Sequence, residues 1–292
     1  MFEKVLLPTD FSGDSHRVLE YVRDIPGIRE VILLHVVDAT RQSIRGWTHG
    51  PEIENARILL EENRQALEKG GVKTEVIVET IVDTITQGTI PLTILEKADT
   101  ENVSLIAMGA RGKNTIREIL LGSVSASVIR NAKCPVLLMR FPPGSRAGGK
   151  RPGLFERILV PVDFSGPSRD VLALLKHIPS AGHVFLLHVV DKGESAEEIQ
   201  AAVKAAMEKL AIIKKDLTAD GIAVEGLVHV GYPPDEINAT AGRCNATLIL
   251  MSPHGEGWTR ELRALFIGST TNAVIRRADR PVLIAAGPVH GQ

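Results

Sequence analysis

Aromatic side chains are scarce: Phe, Trp and Tyr make up 4% of the 292 residues. That leaves too few flat rings for a base-stacking platform of the single-strand-binding kind. Charge of one sign is also lacking, with 34 basic residues against 35 acidic ones and a net charge of −1. Such a balance gives no sign of a nucleic-acid or other polyanion surface. The two cysteines, Cys134 and Cys244, form no CxxC pair, which argues against a disulfide framework or a zinc site. No apolar run approaches the roughly 20 residues that span a bilayer. The N-terminus, MFEKVLLPTD, starts directly with an apolar strand and shows no signal-peptide pattern. The expectation is a cytoplasmic protein without a membrane or nucleic-acid partner.

What the chain does have is the same text twice. Residues 2–38 and 155–191 align without a gap at an offset of 153, with 20 of 37 positions identical. Both copies later carry Gly-Ser, a polar-apolar run, a proline and a short apolar strand: GSVSASVIRNAKCPVLLM from Gly122 and GSTTNAVIRRADRPVLIA from Gly268. A repeat of this length is a duplicated domain rather than a solenoid unit. The expected division is a first domain at 1–141, a Pro/Gly-rich linker at 142–154 and a second domain at 155–292. The linker text FPPGSRAGGKRPGLF reads as flexible and solvated.

Within the first copy, Val5–Leu7 is a buried-strand run ending at Pro8-Thr9-Asp10. Ser12 is placed to cap a helix carrying Val18, Leu19, Val22 and Ile25. Strands are expected at Val31–Val37, Val72–Val82, Val103–Met108 and Pro135–Met139, with helices over 51–69, over Ile90–Ala98 and from Ser123. In the second copy strands are expected near 157–161, 183–189, 223–230, 246–251 and 281–285. Alternating βα units with continuous apolar strands imply a parallel sheet with helices on both faces. Each half is thus expected to be a doubly wound five-stranded sheet of order 3-2-1-4-5.

Open parallel sheets bind ligands beyond the carboxyl ends of the strands, where the strand order reverses. That places Asp10 and the loop after Met108 in one crevice. The loop reads Gly109-Ala110-Arg111-Gly112, nine residues, then Gly122-Ser123. Glycines admit an anion close to backbone N–H groups, and a helix mouth with its dipole favours phosphate. The Ser123 and Ser125 hydroxyls add candidate donors or ligands for a phosphate-bound metal, and Arg111 and Lys113 add positive charge. Walker mechanics are excluded, because position 107 is Ala107 and position 114 is Asn114. No GxGxxG follows the first strand, and no catalytic triad, metal cluster or general base stands out.

The combination of Pro8, Thr9 and Asp10, LLHVVD, and the spacing of Gly109, Gly112, Gly122 and Ser123 resembles the universal stress protein family in its tandem form. The resemblance covers both halves. It implies a Rossmann-like or flavodoxin-like fold and, for members with intact glycines, binding of ATP, ADP or AMP, with Mg2+ as a candidate companion. By resemblance the adenosine end meets Asp10 and the backbone at Val36, while the phosphates lie along Met108, Gly109, Arg111, Gly112, Gly122, Ser123, Val124 and Ser125. It also implies pairing of the two halves through their last strands into a pseudo-dimer; a homodimer beyond that is an alternative for which the sequence gives no firm sign, and the protein partner is unknown. The function expected is a nucleotide-binding stress-response or regulatory protein. The alternatives are a nucleotide-free dimerisation scaffold, a slow ATPase, or a flavin module, for which no residue speaks.

The second copy departs from the pattern. Asp163 and Val189 match Asp10 and Val36, but Gly109 becomes Ser252, followed by Pro253-His254-Gly255. Twelve residues instead of nine separate Gly255 from Gly268. A proline removes an N–H donor, and the inserted residues are expected to shift the loop relative to the helix start. On this reading the second domain has a degenerate motif and binds nucleotide weakly or not at all. His35 and His188 are expected as core or rim residues, and Trp47 and His49 lie in a stretch suited to a lid.

Overall fold

The computed structural model describes residues 1–39, 50–81, 89–110, 121–141, 152–178, 181–255 and 266–285. The chain divides into two compact units, whose continuous bodies are Met1–Met139 and Gly149–Gln292.

In the first unit the strands are β1 (Lys4–Pro8), β2 (Glu30–Asp38), β3 (Lys73–Ile81), β4 (Leu105–Gly109) and β5 (Val136–Met139). They pair in parallel in the order β3-β2-β1-β4-β5. The helices are α1 (Gly13–Val22), α2 (Gly50–Glu68), α3 (Ile90–Thr100) and α4 (Ser123–Asn131). The second unit repeats the scheme with β6 (Arg157–Pro161), β7 (His183–Val190), β8 (Ala223–Val230), β9 (Leu248–Met251) and β10 (Val282–Ile284). Its order is β8-β7-β6-β9-β10, again all parallel. Its helices are α5 (Gly166–Lys176), α6 (Ala196–Ala219), α7 (Pro233–Arg243) and α8 (Ser269–Arg277). Two tandem doubly wound sheets result.

The central strands are apolar throughout because helices cover both faces. Val5, Leu6, Ile32, Leu105 and Ile106 are all fully buried. On α2 the stripe Ala56, Leu60 and Leu67 is buried, and α6 repeats it as Ala206, Leu210 and Leu217. That spacing keeps one helical face on the sheet. Ser12 caps α1 by accepting from the Ser15 N–H, and Ser165 caps α5 by accepting from the Ser168 N–H, both at 3.3 Å.

Two strand boundaries fall later than the apolar runs suggest. Val103 was expected to open β4, but its N–H donates to Ala98 O at 3.0 Å and closes the end of α3. Ala246 likewise donates to Ala241 O at 2.9 Å. Each cap turns through an asparagine in the left-handed region, Asn102 (φ 49°) and Asn245 (φ 48°), as helix C-termini often do. The apolar side chains at these positions are buried, but their backbones belong to the caps. Pro135 also lies outside β5; it has no N–H to give, and its carbonyl accepts from Ile106 at the strand's entry (3.0 Å).

Candidate functional site

β1 lies between β2 and β4, so the carboxyl ends of these three strands are neighbours. The chain leaves β1 at Pro8, and the Thr9 N–H donates to Leu34 O at 2.8 Å. Asp10 follows, with Oδ1 accepting from the Ser12 N–H (3.0 Å) and the Ser15 hydroxyl (2.7 Å). The capping role and a position at the crevice therefore coincide in one carboxylate. Val36 lies half-buried near the end of β2. Met108 and Gly109 are buried at the end of β4.

The start of α4 is tied to this edge by two bonds. The Gly122 N–H donates to Ala110 O at 2.9 Å. The Ser125 hydroxyl donates to Gly109 O at 3.0 Å. Gly122 sits at the N-cap with no side-chain hydrogen bond, so the first-turn N–H groups of α4 are not closed off by a cap. Ser123 is exposed and Val124 half-buried at this mouth. Ser125, expected among the phosphate or metal contacts, is bonded to the backbone at this edge. It is buried at 3% exposure and its proton goes to the backbone, so it positions the mouth. Arg111, Gly112, Lys113, Trp47 and His49 lie outside the described residues, as does most of the expected linker.

A supporting pair stands out in both copies that spacing alone does not reveal. Phe11 and Phe164 adopt left-handed backbone conformations, φ 58° and 64°, which are uncommon for bulky residues. Each ring packs on a β2 or β7 histidine: Phe11 on His35 at 4.6 Å between centroids, Phe164 on His188 at 4.5 Å. His35 Nδ1 lies 2.7 Å from Thr9 O and His188 Nδ1 lies 2.7 Å from Val162 O. A carbonyl only accepts, so Nδ1 carries the proton in each case. The two histidines brace the turn that presents Asp10 and Asp163. The signal in sequence was their recurrence inside otherwise apolar strands.

The second unit corrects two expectations. The longer loop does not displace the helix mouth: the Gly268 N–H donates to Pro253 O at 2.9 Å, the same bond as Gly122 to Ala110. The Thr271 hydroxyl donates to Ser252 O at 2.9 Å, repeating Ser125 to Gly109. Backbone angles at the cap agree as well, φ −53° and ψ 143° at Gly268 against −63° and 146° at Gly122. The entropy of closing a loop grows only logarithmically, so lengthening it from nine to twelve residues costs about 0.3 kcal/mol. Nor does Pro253 remove a donor aimed at the crevice. The equivalent N–H, that of Ala110, donates to Met139 O at 3.2 Å and so extends the sheet ladder. What the proline shortens is the strand: β9 stops at Met251, one position before the equivalent of Gly109.

A side chain would crowd this mouth. A Cβ on Gly268 would lie 3.1 Å from Pro253 O and 3.3 Å from His254 Cα. A Cβ on Gly255 would lie 2.9 Å from Asp163 Oδ2, so the loop and the end of β6 face each other closely. Asp163 Oδ1 accepts from the Ser165 N–H (3.0 Å), the Ser165 hydroxyl (2.6 Å) and the Ser168 hydroxyl. Desolvation pushes its pKa upward, but the donors from Ser165 and Ser168 outweigh that and hold it below the usual carboxylate range. Among the described residues, no group of three or more His, Cys, Asp or Glu side chains is placed to hold a metal. Among them, too, no helix is long and apolar enough to cross a membrane.

Comparisons with known proteins agree on what this geometry is. The model of the universal stress protein family matches residues 1–140 and again 154–286. Universal stress protein MJ0577 of Methanocaldococcus jannaschii is 34% identical over 155 residues, 48% of this chain and 96% of that protein. Universal stress protein Rv2005c of Mycobacterium tuberculosis is 26% identical over 242 residues, 80% of this chain and 75% of that one. Among solved structures, a universal stress protein from Archaeoglobus fulgidus superposes with a TM-score of 0.72 at 30% identity, covering 99% of this chain and 98% of its own. A crevice of this kind at the reversal of strand order, repeated in two halves that both match one family, leads to a single assignment: the chain belongs to the universal stress protein family.

Proposed function

We propose that the N-terminal half binds ATP or a related adenine nucleotide and that the chain serves as a nucleotide-responsive regulatory protein of the stress response. The observation that carries this reading is the uncapped mouth of α4, clasped to the end of β4 by Gly122. Helix N-termini of this form suit phosphate because their first N–H groups and dipole act together. In this assignment the N–H groups at Ser123 and Val124 and the glycines at 109, 112 and 122 receive the phosphates. Arg111 supplies charge, and Asp10 with the backbone at Val36 takes the adenosine end. Thr9 and Pro8 shape the turn below it, Met108 forms part of the floor, and Ser125 holds the mouth in place. Mg2+ would accompany the phosphates as a counter-charge.

Asp10 Oδ1 accepts from the Ser12 N–H and the Ser15 hydroxyl, and we assign it to the adenosine end rather than to a general base. Binding is therefore the activity assigned. A thermal or chemical unfolding titration of the full chain with ATP tests it. At 100 times the dissociation constant the bound state gains about 2.7 kcal/mol. Gly122→Val, at the position equivalent to Gly268, where a Cβ would crowd the Pro253 carbonyl, is expected to remove that gain. No shift at millimolar ATP in the unmodified chain would overturn the reading and favour a ligand-free scaffold.

A further inference from the structure

We propose that the outer edge of the first unit docks the outer edge of the second unit in another copy of this chain, joining copies through faces of opposite charge. The contact uses neither the crevices nor the last strands β5 and β10. Among the described strands β3 pairs only with β2, and β8 only with β7, so each unit ends on an open edge. Along the first edge α2 and β3 enclose a groove of about 670 Å³. Ile58, Val76 and Val78 give it an apolar floor. Glu54, Glu61 and Glu62 make it acidic against the single guanidinium of Arg57.

The second unit carries the converse surface. The buried stripe Ala56, Leu60 and Leu67 of α2 matches Ala206, Leu210 and Leu217 of α6 at a constant offset of 150, which fixes the equivalent positions. Glu54 becomes Lys204 and Gln65 becomes Lys215, while Arg57 becomes Met207 and Glu62 becomes Ile212. Glu61 becomes Ala211, and Ile58 becomes Glu208, the one carboxylate at these positions of α6. Met207 and Ile212 are 56% and 71% exposed. Single exposed apolar side chains are ordinary; these two lie between two lysines, where the first unit has an apolar groove between glutamates. The faces are therefore complementary in both charge and polarity. Val76 of the groove is matched in β8 by Gly226. A Cβ there would come no nearer than 3.6 Å to Leu210, an ordinary contact, so the packing of the unit itself does not demand glycine. Glycine weakens a strand interior, and here it opens a hollow beside α6 for an incoming side chain. Because the two faces differ, a pair joined once keeps one free face of each kind, and assembly closes as a ring or grows head to tail.

Sedimentation velocity of the full chain without nucleotide tests this. Association is expected to rise with chain concentration and to weaken at least about tenfold from low to molar salt, since exposed charges are screened. Two variants alter exposed positions only: Glu54→Lys with Glu62→Lys, and separately Lys204→Glu with Lys215→Glu. Each is expected to weaken self-association at least about tenfold, because like charges then meet. The first variant presents two basic faces and the second two acidic ones, so mixing them should restore association. The proposal is overturned if the unmodified chain stays monomeric at submillimolar concentration. It is overturned equally if either variant associates as the unmodified chain does, which would point to the last strands or another surface. A mixture that gains nothing over its separate components also overturns it.

Discussion

A phenylalanine in the left-handed region is costly at roughly 1–2 kcal/mol, yet Phe11 and Phe164 both occupy it. The cost is offset where the ring meets an imidazole whose own Nδ1–H is held by a backbone carbonyl. Three weak preferences, the turn, the stack and the hydrogen bond, determine one another and leave the preceding aspartate in a single place. A double-mutant cycle in the second unit, Phe164→Ala with His188→Ala, should therefore show a coupling of about 0.5–1.5 kcal/mol in unfolding free energy. A coupling near zero would mean that the pair only fills space. None of this was legible from composition. His35 and His188 read correctly as structural residues, but their partner could not be named, because no propensity places a bulky residue at positive φ.

At the scale of elements, apolar runs located the central strands among the described residues, since a strand buried on both faces has no polar position to break the run, whereas β3 and β8 carry exposed residues such as Glu75 and Glu225. Strand ends were misread wherever a backbone group served a neighbouring element, as Val103 and Ala246 serve the caps of α3 and α7. The same blindness produced the error at the second glycine loop. Counting residues suggested a displaced mouth, whereas the bond from Gly268 to Pro253 fixes the mouth whatever passes between. Pro253→Ala tests this directly. It returns an N–H of the kind that Ala110 uses to extend the ladder, a gain of about 1 kcal/mol. It also loosens the unfolded chain by about 0.4–1 kcal/mol. Stability should thus change little and the nucleotide affinity of the chain not at all. An increase in nucleotide affinity of tenfold or more would show that the proline does withhold a ligand donor.

For the whole molecule, duplication made the fold readable, because each half corroborates the other: Asp10 with Asp163, His35 with His188, Gly122 with Gly268. The site was readable only as a set of positions. Which of its hydroxyls face a ligand depends on burial, and Ser125 and Thr271 turned out to be bound to the sheet. Hydrogen exchange on the full chain gives the corresponding prediction. ATP should protect amides around residues 9–12 and 122–126 in the first unit while leaving 268–272 in the second at their unliganded rates. Equal protection of both segments would contradict the assignment of the nucleotide to the first unit.

The clasp between strand end and helix mouth has a practical consequence. The same pair of bonds holds the helix mouth in each copy, although the text between them differs in length and residues. Exchanging 111–121 for 254–267 within one chain should carry phosphate preference with it and leave the surrounding architecture standing, so that ligand taste can drift between duplicated halves without either having to refold.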